Sequence, residues 1–445
     1  MTFQSTPWVN RFNPLLSYTH LRAASRVMPE PLRLATSVNA SAAEISVSKT
    51  LASVYYPSQQ DITILRRLIE HALAYCEYAY ESELVYMSRI HASMHSKASS
   101  FSNPICLTGL AGVGKSQLLK AFCRLFSSTR VQDANGLIDA PMEGPIPVTL
   151  QKSLGLKSYL NDYINRDSPN ARQCQLKDAI YRFPHLAYTK GAPYILIDET
   201  QFEVGGISTT SIRNTLLQFM EFGIPLLFVA NFSLIKALNR SPEQLRQRLL
   251  TRPIELQRDV AGTDDWKGYL RCCDVSLGET IAPGTLIEHE LIHQYTGGIK
   301  RFVVDLLKIS YRKAYERKRP GRVTLDHIKE AFLSADFAIA RYQVDAITAQ
   351  MVSQDERSEY HNPLRQSFSL EGEGIDEAQR AARDEVARQA SLALLPATPS
   401  STAPGRARSP TAAPVRPRRK STNLMEELTT NAVRFGKGLY RSKKK

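Results

Sequence analysis

The chain carries Gly109-Leu-Ala-Gly-Val-Gly-Lys-Ser116 directly after the apolar run Ile105–Thr108. This stretch fits the pattern G-x-x-x-x-G-K-[ST], and apolar residues recur at helical spacing after it, so a strand, a loop and a helix are predicted in that order. The glycines let backbone N–H groups curl around phosphate oxygens at the positive end of the following helix. The sequence therefore predicts a phosphate-binding loop and, with it, a nucleotide site.

The loop and the first helical turn supply the candidate nucleotide-binding residues. Lys115 can place a charge on the β- and γ-phosphates, and the hydroxyl of Ser116 can complete a magnesium shell that is otherwise largely water. ATP and Mg²⁺ are the cofactors that this chemistry predicts. The full candidate set is Gly109, Gly112, Val113, Gly114, Lys115, Ser116 and Gln117.

A second apolar run, Tyr194-Ile-Leu-Ile-Asp-Glu199, ends in two acids. In a P-loop protein we expect such a strand to lie beside the phosphate loop, where Asp198 joins Ser116 as a candidate metal ligand. Glu199 is then positioned to polarise an attacking water, which is the role of a general base. The pair predicts an ATPase that hydrolyses ATP to ADP and phosphate with Mg²⁺.

Three further polar positions are candidates for the same chemistry. Asn231 follows the apolar run 225–230 and can orient the water or contact the γ-phosphate, although Asn also follows strands for turn reasons. Arg246 and Arg248 lie on a predicted helix just before another strand, where a guanidinium can be supplied to a neighbouring subunit's γ-phosphate; a solvated basic face is the alternative. Arg301 opens a later helix and can reach the nucleotide from a lid.

Residues 100–258 alternate short apolar runs with amphipathic patterns. Such alternation predicts an α/β fold with a parallel five-stranded sheet covered by helices, with ligands at the carboxyl ends of the strands. From 259 to about 350 the pattern is helical throughout, which predicts an all-helical lid. The predicted strands are 105–108, 146–150, 194–198, 225–230 and 254–256.

The remaining segments have weaker patterns. Residues 1–60 are expected to be a loosely ordered extension, after which a leading helix begins at Asp61 and opens the 61–258 domain. Tyrosines on that helix are interpreted as core residues. Residues 351–395 are interpreted as a linker followed by one helix over 376–395, and 396–445 as a Pro/Arg-rich tail that is too poor in apolar residues to order itself.

Charge and cysteine content narrow the class of protein. The net charge is +14, and residues 396–445 hold 12 Lys or Arg against 2 acids, so +10 lies in the tail and +4 in the rest. A basic arm of this kind attracts polyanions by counterion release. The six cysteines have no metal-ligand spacing, and no signal peptide or membrane-length apolar run is present, so we expect a cytoplasmic protein with free thiols and no membrane partner.

The order of these motifs resembles that of the AAA+ ATPases, and their wording is similar to the ATP-binding transposition regulators of the TnsC/TniB type. The likeness covers about residues 60–340 and is carried by IPLLFVAN at 224–231, LRQRLLTRPIEL at 245–256 and YTGGIKRFVVDLLKIS at 295–310. It implies that Lys115 and Ser116 form Walker A, and Asp198 and Glu199 form Walker B. Asn231 would be sensor 1, Arg248 the arginine finger with Arg246 behind it, and Arg301 sensor 2.

The same resemblance implies a protein that assembles on double-stranded DNA as a ring or filament when ATP fills the subunit interfaces. It would recruit or activate transposase subunits together with a target-selection protein, and hydrolysis would dismantle the assembly. Lys152 and Lys157 are candidate DNA contacts, with a solvated helix face as the alternative. A helicase loader or replication initiator, a nucleotide-switched signalling or defence scaffold, and a non-catalytic adaptor remain alternatives.

Overall fold

A computed structural model describes residues 6–33, 39–91, 103–126, 129–132, 139–150, 154–168, 170–198, 209–317, 321–353 and 358–364. Within them, seven strands form a parallel sheet and a separate hairpin. The strands are β1 (Ile105–Thr108), β2 (Thr129–Gln132), β3 (Asp139–Met142), β4 (Ile146–Thr149), β5 (Ile195–Asp198), β6 (Leu226–Ala230) and β7 (Arg252–Glu255).

Helices surround the sheet and form most of the rest of the described chain. The helices are α1 (Pro7–Asn10), α2 (Tyr18–Ser25), α3 (Ala40–Ser53), α4 (Gln59–Ala79), α5 (Glu83–His91), α6 (Lys115–Arg124), α7 (Leu156–Ile164), α8 (Leu176–Thr189), α9 (Thr209–Met220), α10 (Phe232–Asn239), α11 (Glu243–Leu249), α12 (Asp264–Leu277), α13 (His289–Thr296), α14 (Lys300–Arg317), α15 (Leu325–Leu333) and α16 (Ala338–Ser353).

The main sheet has the order β4-β5-β6-β1-β7, and every neighbouring pair is parallel. β1, β5 and β6 are apolar on both faces because helices cover the sheet on each side, which explains why they were recognisable as unbroken apolar runs. The predicted five-stranded parallel sheet is confirmed. β6 lies between β1 and β5, so the strand that ends in Asp198 is separated by one strand from the strand that leads into the phosphate loop.

Two apolar cores hold the described chain together. The first surrounds the sheet and α4, and the second lies among α12 to α16, with Trp266 as its largest fully buried side chain. Leu110 of the phosphate loop packs against both. The helical lid predicted after 258 is therefore a layer with its own core, in contact with the nucleotide loop.

The loosely ordered extension expected for 1–60 is not what the structure has in its described part. Trp8 stacks on Tyr80 of the α4–α5 region with ring centroids 5.3 Å apart, and α1 and α2 belong to the core around the sheet. α3 instead completes the lid core, where Val47 and Leu51 are buried against α14. The segment crosses from one core to the other because its few apolar side chains gain more by joining existing cores than by staying solvated.

Several smaller predictions are also settled. Tyr75, Tyr80 and Tyr86 are buried as expected of core tyrosines, whereas Tyr78 is 55 % exposed. All six cysteines are free thiols. No helix among the described residues is long and apolar enough to cross a bilayer. The predicted helix in 376–395 and the basic tail at 396–445 lie outside the described residues.

Candidate nucleotide-binding site

The phosphate loop connects β1 to α6 and is bent by three glycines. Gly109, Gly112 and Gly114 have φ values of +146°, +87° and +116°, a region that side chains with a Cβ rarely adopt. Gly109 also lies close to the residue that follows β7: a Cβ on Gly109 would be 2.3 Å from the carbonyl oxygen of Leu256. The chain needs glycine here both for backbone conformation and for close approach.

Lys115 begins α6 and is buried. Its Nζ donates hydrogen bonds to the carbonyl oxygens of Gly109 and Leu110, both at 2.8 Å. The pKa of this ammonium is lowered to about 8, chiefly by burial and also by the charge of Arg301, while the charge of Asp198 acts in the opposite direction. The ammonium is thus held inside the loop and electrostatically coupled to one acid and one arginine that the sequence had nominated separately.

The carboxyl ends of β5 and β6 lie at the same edge of the sheet as the loop. Asp198 ends β5 and Asn231 follows β6, the strand between β5 and β1. The Oδ1 of Asn231 accepts a hydrogen bond from the N–H of Leu234 at 2.9 Å and so caps α10. Its side-chain oxygen therefore has the turn role considered in the sequence, and only the Nδ2 donors remain for another partner.

The lid contacts the loop through the start of α14. The N–H of Arg301 donates to the carbonyl oxygen of Gly112 at 3.2 Å, and a Cβ on Gly112 would be 2.8 Å from the Cβ of Arg301. The Arg301 side chain is exposed, which leaves its guanidinium accessible at the mouth of the loop. The lid therefore contacts the phosphate loop through the backbone of Arg301.

Sequence reasoning missed a buried ionic cluster next to Arg301. The Nζ of Lys300 lies 3.6 Å from the Oδ2 of Asp61 and 3.7 Å from the Oδ2 of Asp259. These residues are far apart in the chain, and no local pattern links them. The only signal was the position of Asp61 at the start of a helix, where an acid is common for capping reasons.

The other nominated residues do not join this group. Arg246 and Arg248 are exposed on α11, which leads into the amino end of β7, whereas the phosphate loop follows the carboxyl end of β1. Lys157 is half-buried on α7, after the carboxyl end of β4. Glu199 and Lys152 lie outside the described residues.

The residues at the loop fit a nucleoside triphosphate. The turn of three left-handed glycines opens α6, a ten-residue helix whose first N–H groups are available to an anion because Gly114 has no side chain to cap them. The two loop carbonyls bound by Lys115 are weaker partners than a phosphate oxygen. Ser116 and Asp198 would hold the magnesium ion, although no cluster of three or more metal-ligating His, Cys, Asp or Glu occurs in the described part.

Comparisons with known proteins find distant likenesses only. No family model and no curated protein match the sequence. The Orc1 protein of Aeropyrum pernix, solved in complex with DNA, is 16 % identical over 76 % of this chain and 78 % of its own, with a TM-score of 0.40. A Walker-type ATPase of Pyrococcus abyssi is 14 % identical over 64 % of this chain and 85 % of its own, with a TM-score of 0.37.

Domain III of the replication initiation protein DnaA of Thermotoga maritima is 15 % identical over 56 % of this chain and 89 % of its own, with a TM-score of 0.32. Because all three TM-scores are below 0.5, the fold assignment depends on the chain's own sheet order, phosphate loop and lid. Together these form an α/β P-loop fold with a parallel five-stranded sheet and a helical lid.

Proposed function

We propose that this chain is a Mg²⁺-dependent ATPase that assembles on double-stranded DNA and regulates transposition. The observation that carries the nucleotide part is the convergence of Lys115, Asp198 and Arg301 at the glycine turn. The transposition part is supported by the likeness of the 224–231, 245–256 and 295–310 stretches to the TnsC/TniB type. In this proposal the protein recruits or activates transposase subunits at a target chosen with a target-selection protein.

Each residue has a defined task in the proposed reaction. Bound ATP with Mg²⁺ supplies a γ-phosphoryl group that water can attack. Lys115 binds and neutralises phosphate charge, and Ser116 and Asp198 hold the metal. Glu199 takes the proton of the attacking water as general base, and Asn231 orients that water through its Nδ2 group. Arg301 closes on the nucleotide from the lid.

A guanidinium from a second copy completes the site in this proposal. α11 is attached to the end of β7 that is remote from the phosphate loop, so Arg248 and Arg246 are suited to an adjacent subunit rather than to their own loop. ATP then becomes part of the interface, and nucleotide state and assembly state are linked. The basic tail and Lys152 and Lys157 are the proposed DNA contacts, directed to the phosphate backbone.

Mixing two inactive variants tests the shared site. Lys115→Ala removes the cradle and Arg248→Ala removes the guanidinium, so each alone should lose ATPase activity on DNA. In an equal mixture, random assembly joins an intact cradle to an intact neighbouring arginine at roughly a quarter of the interfaces, and activity should return to about that level. Arg246→Ala, examined in the same way, identifies which arginine acts.

The matched control is the double variant Lys115→Ala/Arg248→Ala mixed with either single variant, which should restore no activity because no interface can combine an intact cradle with an intact arginine. Electron microscopy with duplex DNA and a non-hydrolysable ATP analogue should show rings or filaments. A protein that binds ATP but stays monomeric on DNA would contradict the shared site. Stimulation of a helicase instead of a transposase would support the helicase-loader alternative.

A further inference from the structure

The buried cluster of Lys300, Asp61 and Asp259 joins three separate parts of the chain at the phosphate loop. Asp61 lies in the first turn of α4, and Asp259 lies in the segment between β7 and α12. Lys300 is the first residue of α14. The side chains of Asp61, Asp259 and Lys300 are only 2 %, 11 % and 18 % exposed. Ions buried this far persist only when they are paired, so the cluster fixes the relative positions of these parts.

Further hydrogen bonds hold the carboxylate of Asp61 and the backbone of Asp259 in place. The Oδ2 of Asp61 accepts a hydrogen bond from the N–H of Ser58 at 2.9 Å, and the N–H of Asp61 donates to the Ser58 hydroxyl at 3.1 Å. The backbone N–H of Asp259 donates to the carbonyl oxygen of Gly298 at 3.1 Å, and its carbonyl oxygen accepts from Nε2 of His293 at 2.9 Å. The anchors are therefore part of the framework rather than mobile surface groups.

The stem of Lys300 runs along the phosphate loop on its way to these anchors. A Cβ on Gly114 would be 3.7 Å from the Cδ of Lys300, which is ordinary contact, and the Nζ lies 5.6 Å from the ring centre of Tyr269. The next residue is Arg301, whose backbone N–H is bonded to Gly112. Fixing Lys300 thus fixes the first turn of α14 in register with the loop.

We propose that Lys300 is a positioning residue, which sets Arg301 over the phosphate loop by anchoring the start of α14 to Asp61 and Asp259. The inference rests on the proposed nucleotide function but assigns a residue that the function does not use directly. Lys300 does not reach the phosphates in this arrangement, because its ammonium is engaged on the side of the two carboxylates. Lys300 acts through Arg301. Replacing Lys300 should therefore weaken ATP binding in the wild-type protein but not in a variant that already lacks Arg301.

A double-mutant cycle tests this dependence. Lys300→Gln should raise KM for ATP and the Kd of a fluorescent ATP analogue by between about 5-fold and about 100-fold, the usual range of coupling between sites. Arg301→Ala should have a comparable effect, and the double variant should be no worse than Arg301→Ala alone. Lys300→Arg, which keeps the charge, should restore most of the affinity.

Lys308→Gln on the same helix is the matched control, because it removes only a half-exposed pair with Asp305, and it should change neither KM nor Kd. Circular dichroism reports whether each variant folds. If Lys300→Gln fails to fold, Lys300→Met, which keeps the stem of the side chain but not its charge, takes its place: faster hydrogen exchange at the Arg301 amide than in wild type supports the proposal, and unchanged exchange overturns it.

The outcomes separate this inference from the proposed function. Wild-type protein that binds no ATP contradicts the nucleotide function itself. Wild-type protein that binds ATP, with a Lys300→Gln variant of unchanged affinity, overturns the positioning role alone. Additive losses in the double variant also overturn it, since they would mean that Lys300 acts independently of Arg301.

Discussion

Gly112 lies where the phosphate loop meets the lid. Gly112→Ala would place a methyl group 2.8 Å from the Cβ of Arg301 in a backbone conformation with φ of +87°. The conformational strain is about 1 to 2 kcal/mol, and the clash additionally pushes α14 away from the loop. We expect ATP affinity to fall by about tenfold or more, as typical coupling energies imply, measured with a fluorescent analogue.

Gly262→Ala provides the control for that substitution. Gly262 also has a positive φ, +74°, but no atom lies within 4 Å of the position of its added Cβ. Gly262→Ala should introduce a similar backbone strain and so lower the melting temperature, but it should leave nucleotide affinity unchanged. Equal affinity losses in both variants would show that the lid contact at Gly112 has no role in binding.

The buried carboxyl of Asp259 makes the stability of the protein depend on pH. Its pKa is raised to about 6, chiefly by burial; the charge of Lys300 opposes the rise and the charge of Asp61 adds to it. The ionised form is therefore penalised in the folded protein above about pH 6, and the penalty is relieved as pH falls from there toward the ordinary value. The charged or titratable groups around it are Lys300, Asp61, Asp265, Tyr55, Tyr269, Arg258 and His293.

Asp259→Asn should consequently stabilise the protein by about 1 to 3 kcal/mol at pH 7.5, since it removes the excess carboxylate while Asp61 remains to pair with Lys300. At pH 5.5 the gain should be smaller. Urea denaturation at the two pH values measures the difference. A destabilising effect at pH 7.5 would mean that the pairing with Lys300 outweighs the repulsion between the two acids.

At the scale of elements, α3 is held by the lid although it precedes the sheet in sequence. Leu51 is 1 % exposed in the lid core, so Leu51→Ala should lower the free energy of unfolding by about 2 to 5 kcal/mol. Ile45 on the same helix is 54 % exposed, and Ile45→Ala should change stability by no more than about 0.5 kcal/mol. Chemical denaturation compares the two, and similar effects would contradict the packing of α3 on α14.

Elements differ in how far their sequence predicts them. β1, β5 and β6 were predictable because strands covered on both faces are continuous apolar runs. α1 has four residues and α3 is rich in Ala and Ser, so neither has a strong apolar stripe, and their burial depends on partners elsewhere in the chain. β2 (TRVQ) and β3 (DAPM) have four residues each and are neither continuous apolar runs nor regular alternations, so they gave no strand signal.

The candidate site also contains residues whose position could be predicted from the sequence and residues whose position could not. Lys115, Asp198 and Asn231 lie at or just after the carboxyl ends of parallel strands, so their position at one edge of the sheet could be predicted. The cluster of Lys300 with Asp61 and Asp259 could not, because it depends on how the lid docks against α4. Docking is set by the two cores and by the turn at Gly297 and Gly298, both with positive φ.

At the scale of the whole molecule, the concentration of positive charge in the tail predicts DNA binding whose affinity depends on salt concentration. Removing residues 396–445 takes away 12 Lys or Arg and 2 acids. Because each phosphate neutralised by a basic residue releases counterions, the truncated protein should bind duplex DNA more weakly and with a shallower dependence of log K on log salt, by about 0.9 per lost contact. Fluorescence anisotropy at several salt concentrations measures both quantities, and an unchanged slope would assign the tail to another partner.

The shared construction of the lid has a consequence for synthesis of the protein. α3 ends at Ser53, but α14, against which it is buried, begins at Lys300, about 250 residues later. At ribosomal speeds of about 5 to 20 residues per second, the apolar face of α3 remains exposed for roughly 12 to 50 s before α14 has been synthesised. Slow-translating hosts and chaperone-poor cell extracts should therefore yield more aggregated material, and co-expressed holdases should increase the yield.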